Sequence, residues 1–414
     1  MKEKILFLNT PIWNLQSIPH RAVRSTAPPL LISVLRKAGY EAIFIDADAL
    51  EWTWNEIKIT IREMKPAVIA FTAFYNNRYS LLNLIRSIKH DFPNIKIISG
   101  GPFATTNPDF LLKGGCDSVC TGEGELIIEE MLNKSGKIIG KQVDLDSMPL
   151  PSYESCFPEE SYYSGAGPYF EKPESWLLIT RGCLHKCIFC SNPLFSGQVP
   201  RLMSPDRVYE ELCLIKSRNI RHVYLYSDEL VGSSPIEDKW LEKVCEKISS
   251  IGLTYKTQGR CNRKLQESTL QAMKEAGFKA VGWGIESMSP KVLKLLHKGI
   301  EPEDVWNTLR LSKKVGLYNW IFVMVGCLDE TNEDFEITKT ELIKMKKEGL
   351  IDKGQVSVMI LEPGAPLWEK AFAEGWVEDK QFNSPHFEPC LNVPWASKEE
   401  ISKRKSILWG IING

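Results

Sequence analysis

Cys183, Cys187 and Cys190 form a C-x3-C-x2-C triplet inside Arg181–Cys190 (RGCLHKCIFC). Closely spaced thiolates on one loop suit iron–sulfur ligation, because a compact cluster needs several sulfurs converging on it. Three rather than four is the informative count. A zinc or purely structural cluster usually closes its coordination with four protein ligands, whereas three leave one iron open to bind something else. A non-enzymatic iron–sulfur or zinc scaffold is the alternative reading. The other cysteines are Cys116, Cys120, Cys156, Cys213, Cys245, Cys261, Cys327 and Cys390, and they show no ligand-like grouping. They read as structural, with Cys327, at a strand end, the one further catalytic candidate. Eleven cysteines are an odd number, which fits poorly with a complete disulfide framework and favours a reducing compartment, the cytoplasm.

The triplet needs a scaffold. The chain has 414 residues, enough for two or three domains with sizeable cores. Its formal net charge is −1, which removes any net-charge case for nucleic-acid or anionic-membrane partners. No apolar run reaches membrane-spanning length. The N-terminus carries too short an apolar run for a secretory signal and reads as a first strand.

Short apolar runs alternate with amphipathic helices in the first third. Strands are expected at Lys4–Asn9, Glu41–Asp46, Ala67–Ala73, Ile95–Gly101 and Asp117–Thr121. Helices are expected at Pro28–Ala38, Glu51–Met64 and Arg78–His90, with Gly122-Glu123-Gly124-Glu125 opening another. AVIAFTA is continuously apolar, as a parallel strand covered on both faces must be. Five strands alternating with helices predict an α/β domain built on a doubly wound, Rossmann-like parallel sheet over residues 1–143. Such sheets bind ligands at the carboxyl ends of their strands. There lie Thr72, Phe74, Tyr75 and Asn76, then Ser99, Gly100, Gly101 and Pro102, then Gly122 and Glu123. Residues 144–175 are rich in Pro, Ser, Gly and Tyr and read as a linker. Tyr162, Tyr163 and Tyr169 are expected to pack a domain interface.

Strand-like runs recur at Trp176–Thr180, Val223–Tyr226, Tyr255–Gly259, Ala280–Ile285, Trp320–Val325 and Gln355–Leu361. Six βα units over residues 176–375 predict a partial (β/α)6 version of the TIM-type barrel, which carries catalytic groups at its C-terminal strand ends. Asp228, Glu229, Arg260, Glu286 and Gly326 fall there. Ser204-Pro205-Asp206 reads as a helix start. Residues 376–414 read as a tail with a helix at Lys398–Trp409. His185, inside the cysteine loop, reads as a solvent-exposed residue.

The triplet resembles the signature of the radical S-adenosylmethionine (radical SAM) superfamily. Pro28-Pro29-Leu30, Ser99-Gly100-Gly101-Pro102 and Gly122-Glu123-Gly124-Glu125 resemble the cobalamin (B12)-binding domains fused to such enzymes. Gly284-Ile285-Glu286-Ser287 and Glu362-Pro363-Gly364-Ala365-Pro366 resemble the same branch. Phe103 stands where that family often has His, and no Asp-x-His-x-x-Gly stretch is present. The resemblance implies a [4Fe-4S] cluster on Cys183, Cys187 and Cys190, with S-adenosylmethionine on its open iron. Around that nucleotide it places Phe189, Asp228, Glu229, Arg260, Glu286 and Gly326. It further implies cobalamin on the loops after the first-domain strands, with Phe74–Asn77 under the corrin. The activity implied is C-methylation of an unactivated carbon through a 5′-deoxyadenosyl radical and methylcobalamin. The alternative is radical dehydration, deoxygenation or rearrangement without methyl transfer. A flavodoxin or ferredoxin reductant and a small-molecule, natural-product or peptide substrate are the expected partners.

Overall fold

The computed structural model describes residues 3–11, 26–153, 173–377 and 392–414. Tyr162, Tyr163, Tyr169, Cys156 and Cys390 lie outside them. The chain divides into two units, Met1–Tyr163 and Ser164–Gly414.

In the first unit six parallel strands form one sheet. They are β1 (Lys4–Asn9), β2 (Glu41–Asp46), β3 (Val68–Thr72), β4 (Lys96–Gly100), β5 (Ser118–Thr121) and β6 (Gly136–Ile139), in the order β2-β1-β3-β4-β5-β6. The order reverses between β1 and β3, the crevice where doubly wound sheets take ligands. β3 is buried along its length except at Thr72, as AVIAFTA requires. β6 is a sixth strand that the sequence pattern did not reveal. It has four residues, two of them exposed, and stands at the sheet edge, so no apolar run marks it. The helix expected at Gly122 starts only at Ile128, because Gly122 has φ +91° and turns the chain first.

The second unit carries β7 (Glu174–Leu178), a small antiparallel pair β8 (Thr180–Arg181) and β9 (Arg201–Leu202), then β10 (His222–Tyr226) and β11 (Thr254–Arg260). β12 (Phe278–Glu286), β13 (Tyr318–Val325) and β14 (Lys353–Val358) follow. The six long strands form a parallel sheet ordered β14-β13-β12-β11-β10-β7. Helices Pro205–Lys216, Pro235–Ile248, Glu267–Ala276, Pro302–Lys314 and Asn332–Lys347 connect them. Ser204, Ser234 and Thr331 cap three of these by accepting backbone N–H bonds, which satisfies first-turn donors. The single strand expected at Trp176–Thr180 is split at Ile179, whose N–H bonds to Tyr226 O.

The C-terminal segment is more than a tail. Helix Lys398–Asn413 packs on β13 and β14. Buried Arg404 pairs with buried Glu330 at 3.3 Å, and Ile401 lies where a Cβ on Gly326 would meet it at 3.1 Å. No described helix is long and apolar enough to cross a membrane.

Candidate active site

β8 and β9 pair Thr180 with Leu202 and Arg181 with Arg201, closing the base of a loop that carries all three cysteines. Gly182 is obligatory there. Its φ is +100°, and a Cβ would lie 2.4 Å from Val199 O. Asp228, at the end of β10, fastens the loop. Its Oδ2 accepts from Gly182 N at 2.7 Å and its Oδ1 from Asn192 Nδ2 at 3.0 Å. Leu367 N donates to Ile188 O at 3.0 Å and Ile188 N to Leu296 O at 3.1 Å.

Cys183, Cys187 and Cys190 line one cavity of about 190 Å³ together with Phe189, Glu229, Arg260 and Glu286. The structure therefore brings together residues that span 104 positions of sequence. Among the described residues no three His, Cys, Asp or Glu side chains stand close enough to hold a single metal ion. Three thiols gathered around one cavity suit a multi-iron cluster that keeps one iron open. Burial pushes the Cys183 thiol up to about 12, with Glu229 beside it adding to the shift, and burial pushes Cys190 up to about 11. Both are neutral thiols until a metal centre supplies the positive charge that ionises them.

The carboxylates differ in what they have left to offer. Asp228 is engaged by the loop; burial raises its pKa, against the Gly182 hydrogen bond. Glu229 has a side chain only 9% exposed; its Oε2 sits 2.9 Å from His185 Nε2 and 3.5 Å from Cys183 Sγ. Its Oε1 is buried and has no hydrogen-bond partner among the described residues. A buried carboxylate oxygen aimed into a cavity is a strong acceptor for a cationic N–H, as the amino group of S-adenosylmethionine would be. His185 is thus not the solvent-exposed loop residue that its sequence neighbours suggest: the turn between Cys183 and Cys187 folds it back against Glu229, and it lines the cavity.

Across the cavity, Lys298 Nζ bonds Glu286 Oε1 at 2.9 Å and Arg260 Nη1 approaches Cys187 Sγ at 3.9 Å. All are nearly inaccessible. Burial works against the Lys298 ammonium, but Glu286 outweighs it and raises the pKa. Glu286 has φ +64° at a register shift at the end of β12. A non-glycine residue held there stores strain, and such strain concentrates at functional sites. Sequence reading singled out Arg260 and Glu286 but passed over Lys298, whose place in Leu293–Gly299 gave no sign that it would turn inward. Gly326 and Cys327 do not line this cavity. Gly326 packs against the C-terminal helix, and Cys327 is fully buried, its thiol pushed far up by burial.

The first-unit loops converge at one sheet edge. Ala73 N donates to Gly100 O at 2.8 Å, Phe103 N to Ala73 O at 3.0 Å, and Gly122 N to Thr105 Oγ1 at 3.0 Å. Gly101 has φ +101°, and a Cβ would stand 2.9 Å from Ala73 O. Phe74 and Asn76 project outward. Tyr75 is buried, its ring 5.2 Å from Phe103 and its hydroxyl against Thr106. Ser99 is buried and bonds Phe71 O. Thr72, Gly122 and Pro102 are half-buried. The Glu123 carboxylate accepts from Val143 N at 3.0 Å. Phe103, at the position where histidine is common, fills core space between Tyr75 and Phe110. The one described histidine of this unit, His90, lies at the far end of helix Arg78–Asp91.

The radical SAM superfamily model matches residues 177–342 and the B12-binding domain model residues 29–132. The chain carries a radical SAM domain and a B12-binding domain. An uncharacterised methyltransferase of Pyrococcus horikoshii is 28% identical over 97% of this chain and 90% of its own length. Among solved structures, the cobalamin-dependent S-adenosylmethionine radical enzyme OxsB, with aqua-cobalamin and S-adenosylmethionine bound, superposes with TM-score 0.70 and 17% identity. The match covers 98% of this chain and 61% of OxsB. The radical S-adenosylmethionine methyltransferase TsrM of Kitasatospora setae, with cobalamin and a [4Fe-4S] cluster bound, gives TM-score 0.69 and 16% identity over 93% of this chain and 80% of its own. At these identities the two structures share the fold. The cofactors of the two domains are a [4Fe-4S] cluster with S-adenosylmethionine and cobalamin, and the three-thiol cavity fits the first pair.

Proposed function

We propose that this protein is a cobalamin-dependent radical SAM C-methyltransferase acting on an unactivated carbon of a small-molecule, natural-product or peptide substrate. The observation that carries the reading is the cavity of three thiols with the open Glu229 Oε1, in a chain that also has a B12-binding domain. When bound, the cluster supplies one electron to split S-adenosylmethionine, and cobalamin carries the methyl group.

This chain's own residues position and exclude. Cys183, Cys187 and Cys190 hold the cluster, and Asp228 keeps their loop in place. Glu229 accepts the amino group of S-adenosylmethionine. Arg260 and Glu286, braced by Lys298, face its carboxylate and ribose, while Phe189 packs on the adenine and Gly326 shapes the adjoining loop. In the first unit, backbone at Gly100–Pro102 and Gly122, with Thr72, Phe74 and Asn76, receives the corrin. Tyr75, Ser99 and Glu123 hold those loops from behind. The nine described free cysteines support a reducing, cytoplasmic setting, where flavodoxin or ferredoxin serves as the electron donor. Nucleic acid is not an expected partner, given the near-zero net charge.

Anaerobic reconstitution tests the proposal. Expected are iron and cobalamin absorption, 5′-deoxyadenosine on reduction with S-adenosylmethionine, and a product heavier by one methylene. Cys187→Ala should abolish 5′-deoxyadenosine. Iron–sulfur absorbance and 5′-deoxyadenosine without cobalamin would replace methylation by radical chemistry of another outcome. A fully ligated cluster or no iron would remove the reading altogether.

A further inference from the structure

Each thiol of the cysteine loop has a hydrogen-bond donor, but the donors are of two kinds. Cys183 Sγ accepts from the backbone N–H of His185, and Cys190 Sγ from that of Asn192. Cys187 Sγ is met by a side chain, Arg260 Nη1, at 3.9 Å. Arg260 is 5% exposed, and its backbone is fixed at the end of β11. Its N–H bonds Val231 O at 2.9 Å. Gly232, at φ +79°, packs so closely on Arg260 O that no Cβ would fit there.

Charge around this contact does not balance. Two buried cations, Arg260 and Lys298, face one buried carboxylate, Glu286, and Lys298 takes it at 2.9 Å. Among the described residues no carboxylate stands within ion-pair distance of Arg260. A guanidinium cannot shed its proton, and a buried charge without a partner is costly. Holding one against a cysteine sulfur points to an anion at that sulfur. On the other side of the cavity, Cys183 Sγ faces the Glu229 carboxylate at 3.5 Å, itself paired with His185. The unbalanced cation therefore belongs to the Cys187 side.

We propose that Arg260 is a positioning residue for the cluster: it donates Nη1–H to the Cys187 thiolate and thereby raises the cluster's reduction potential. Hydrogen bonds to the sulfurs and nearby charge set the potential of an iron–sulfur centre. One electron from a reduced flavodoxin or ferredoxin lowers the cluster's charge by one unit. The donor is oxidised by that electron, no bond breaks, and no proton leaves Arg260. Negative charge added beside a fixed cation stabilises the reduced state more than the oxidised one. Lys298 contributes less, because Glu286 offsets its charge. The inference rests on the radical SAM reading and deepens it, since it gives the tuning of that cluster to one side chain.

The full chain is reconstituted anaerobically with its cluster and kept free of S-adenosylmethionine, so that any contact of Arg260 with the nucleotide is out of play. The midpoint potential is read by potentiometry with electron paramagnetic resonance. Arg260→Gln should make reduction about tenfold less favourable, about 59 mV lower for one electron. Arg260→Lys keeps the charge and loses the planar fork, and should stay within about threefold of the parent. In parent protein grown on arginine isotopically labelled in its guanidinium nitrogens, the reduced cluster should show a nitrogen hyperfine coupling. This signature is read in the parent and needs no variant to load its cluster. The inference is overturned if loaded Arg260→Gln has the parent's potential or a higher one, if Arg260→Lys falls as far as Arg260→Gln, or if the labelled parent shows no arginine coupling. Iron and sulfide are measured first. A parent without a [4Fe-4S] cluster sinks the radical SAM reading and this inference with it, whereas a normal cluster with an unmoved potential sinks the inference alone.

Discussion

Both units are six-stranded parallel sheets with functional groups at the carboxyl ends of their strands, yet those ends are built on opposite plans. In the first unit the polar side chains are turned inward to brace loops. Asn77 bonds Phe74 N and Thr72 O, Thr105 holds Gly122 N, and Glu123 holds Val143 N. What faces outward is backbone, glycine and the two side chains Phe74 and Asn76. In the second unit the ends present buried charge, Glu229, Arg260 and Glu286, joined around one cavity by Lys298 from the loop after helix Pro290–Leu295. A broad ligand such as a corrin can be gripped by shape and main chain. A small zwitterion beside a metal cluster needs placed charges, because only charge-assisted bonds both orient it and offset its desolvation. One fold plan thus serves two recognition chemistries.

Substitutions can break or sharpen that contrast. The largest effect is expected at Lys298→Met, which leaves Glu286 buried without its partner. Losing one member of a buried pair costs about 3–5 kcal/mol. Chemical unfolding should show this, and the double variant with Glu286→Gln should recover part of it. If Lys298→Met leaves stability unchanged, the cavity is not organised by paired charge.

Next comes Gly101→Ala. With φ +101° and Ala73 O at 2.9 Å, a Cβ strains the first-unit edge by about 1–3 kcal/mol. The expected readout is loss of cobalamin absorption from purified protein while the iron content persists.

Glu330 should contribute about 2 kcal/mol of pH dependence. Burial, against hydrogen bonds from Gly326 and Arg404, raises it from 4.5 to about 6. The fold therefore favours its protonated form. That stabilisation is full below pH 4.5, fades as pH rises through 6, and is gone above. Urea midpoints compared between pH 4.5 and 7 should fall more in the parent than in Glu330→Gln. An identical slope in both refutes the assignment.

The smallest effect is expected at exposed Asn76→Ala, within about 0.5 kcal/mol in stability. On the proposed reading cobalamin retention should change little, since Asn76 is one exposed contact beside those of the backbone. A complete loss of cobalamin here would mean that the first-unit edge also works through single side chains.

Much of this was legible in the chain itself. β3 and β12 announce themselves as apolar runs, and the cysteine triplet is local, so spacing alone put it on one loop. β6 escaped because an edge strand of four residues buries too little to leave a pattern. His185 and Lys298 escaped for a different reason. Each is flanked by ordinary loop residues, and what turns each inward is a carboxylate contributed by another strand end, 44 positions away for Glu229 and 12 for Glu286. The C-terminal helix read as a tail because its role lies in Ile401 and Arg404 reaching Gly326 and Glu330, contacts that no periodicity records.

What the sequence by itself determined was therefore everything governed by neighbours along the chain: strand and helix alternation, the glycine turns, and three thiols held within eight residues. Tertiary structure alone decided which charges meet, and which carboxylates are engaged by backbone and which stay open. Hydrophobic period and backbone conformation are local quantities. Pairing of buried charge depends on the register between distant strands, and it is settled only when the sheet closes around the cavity.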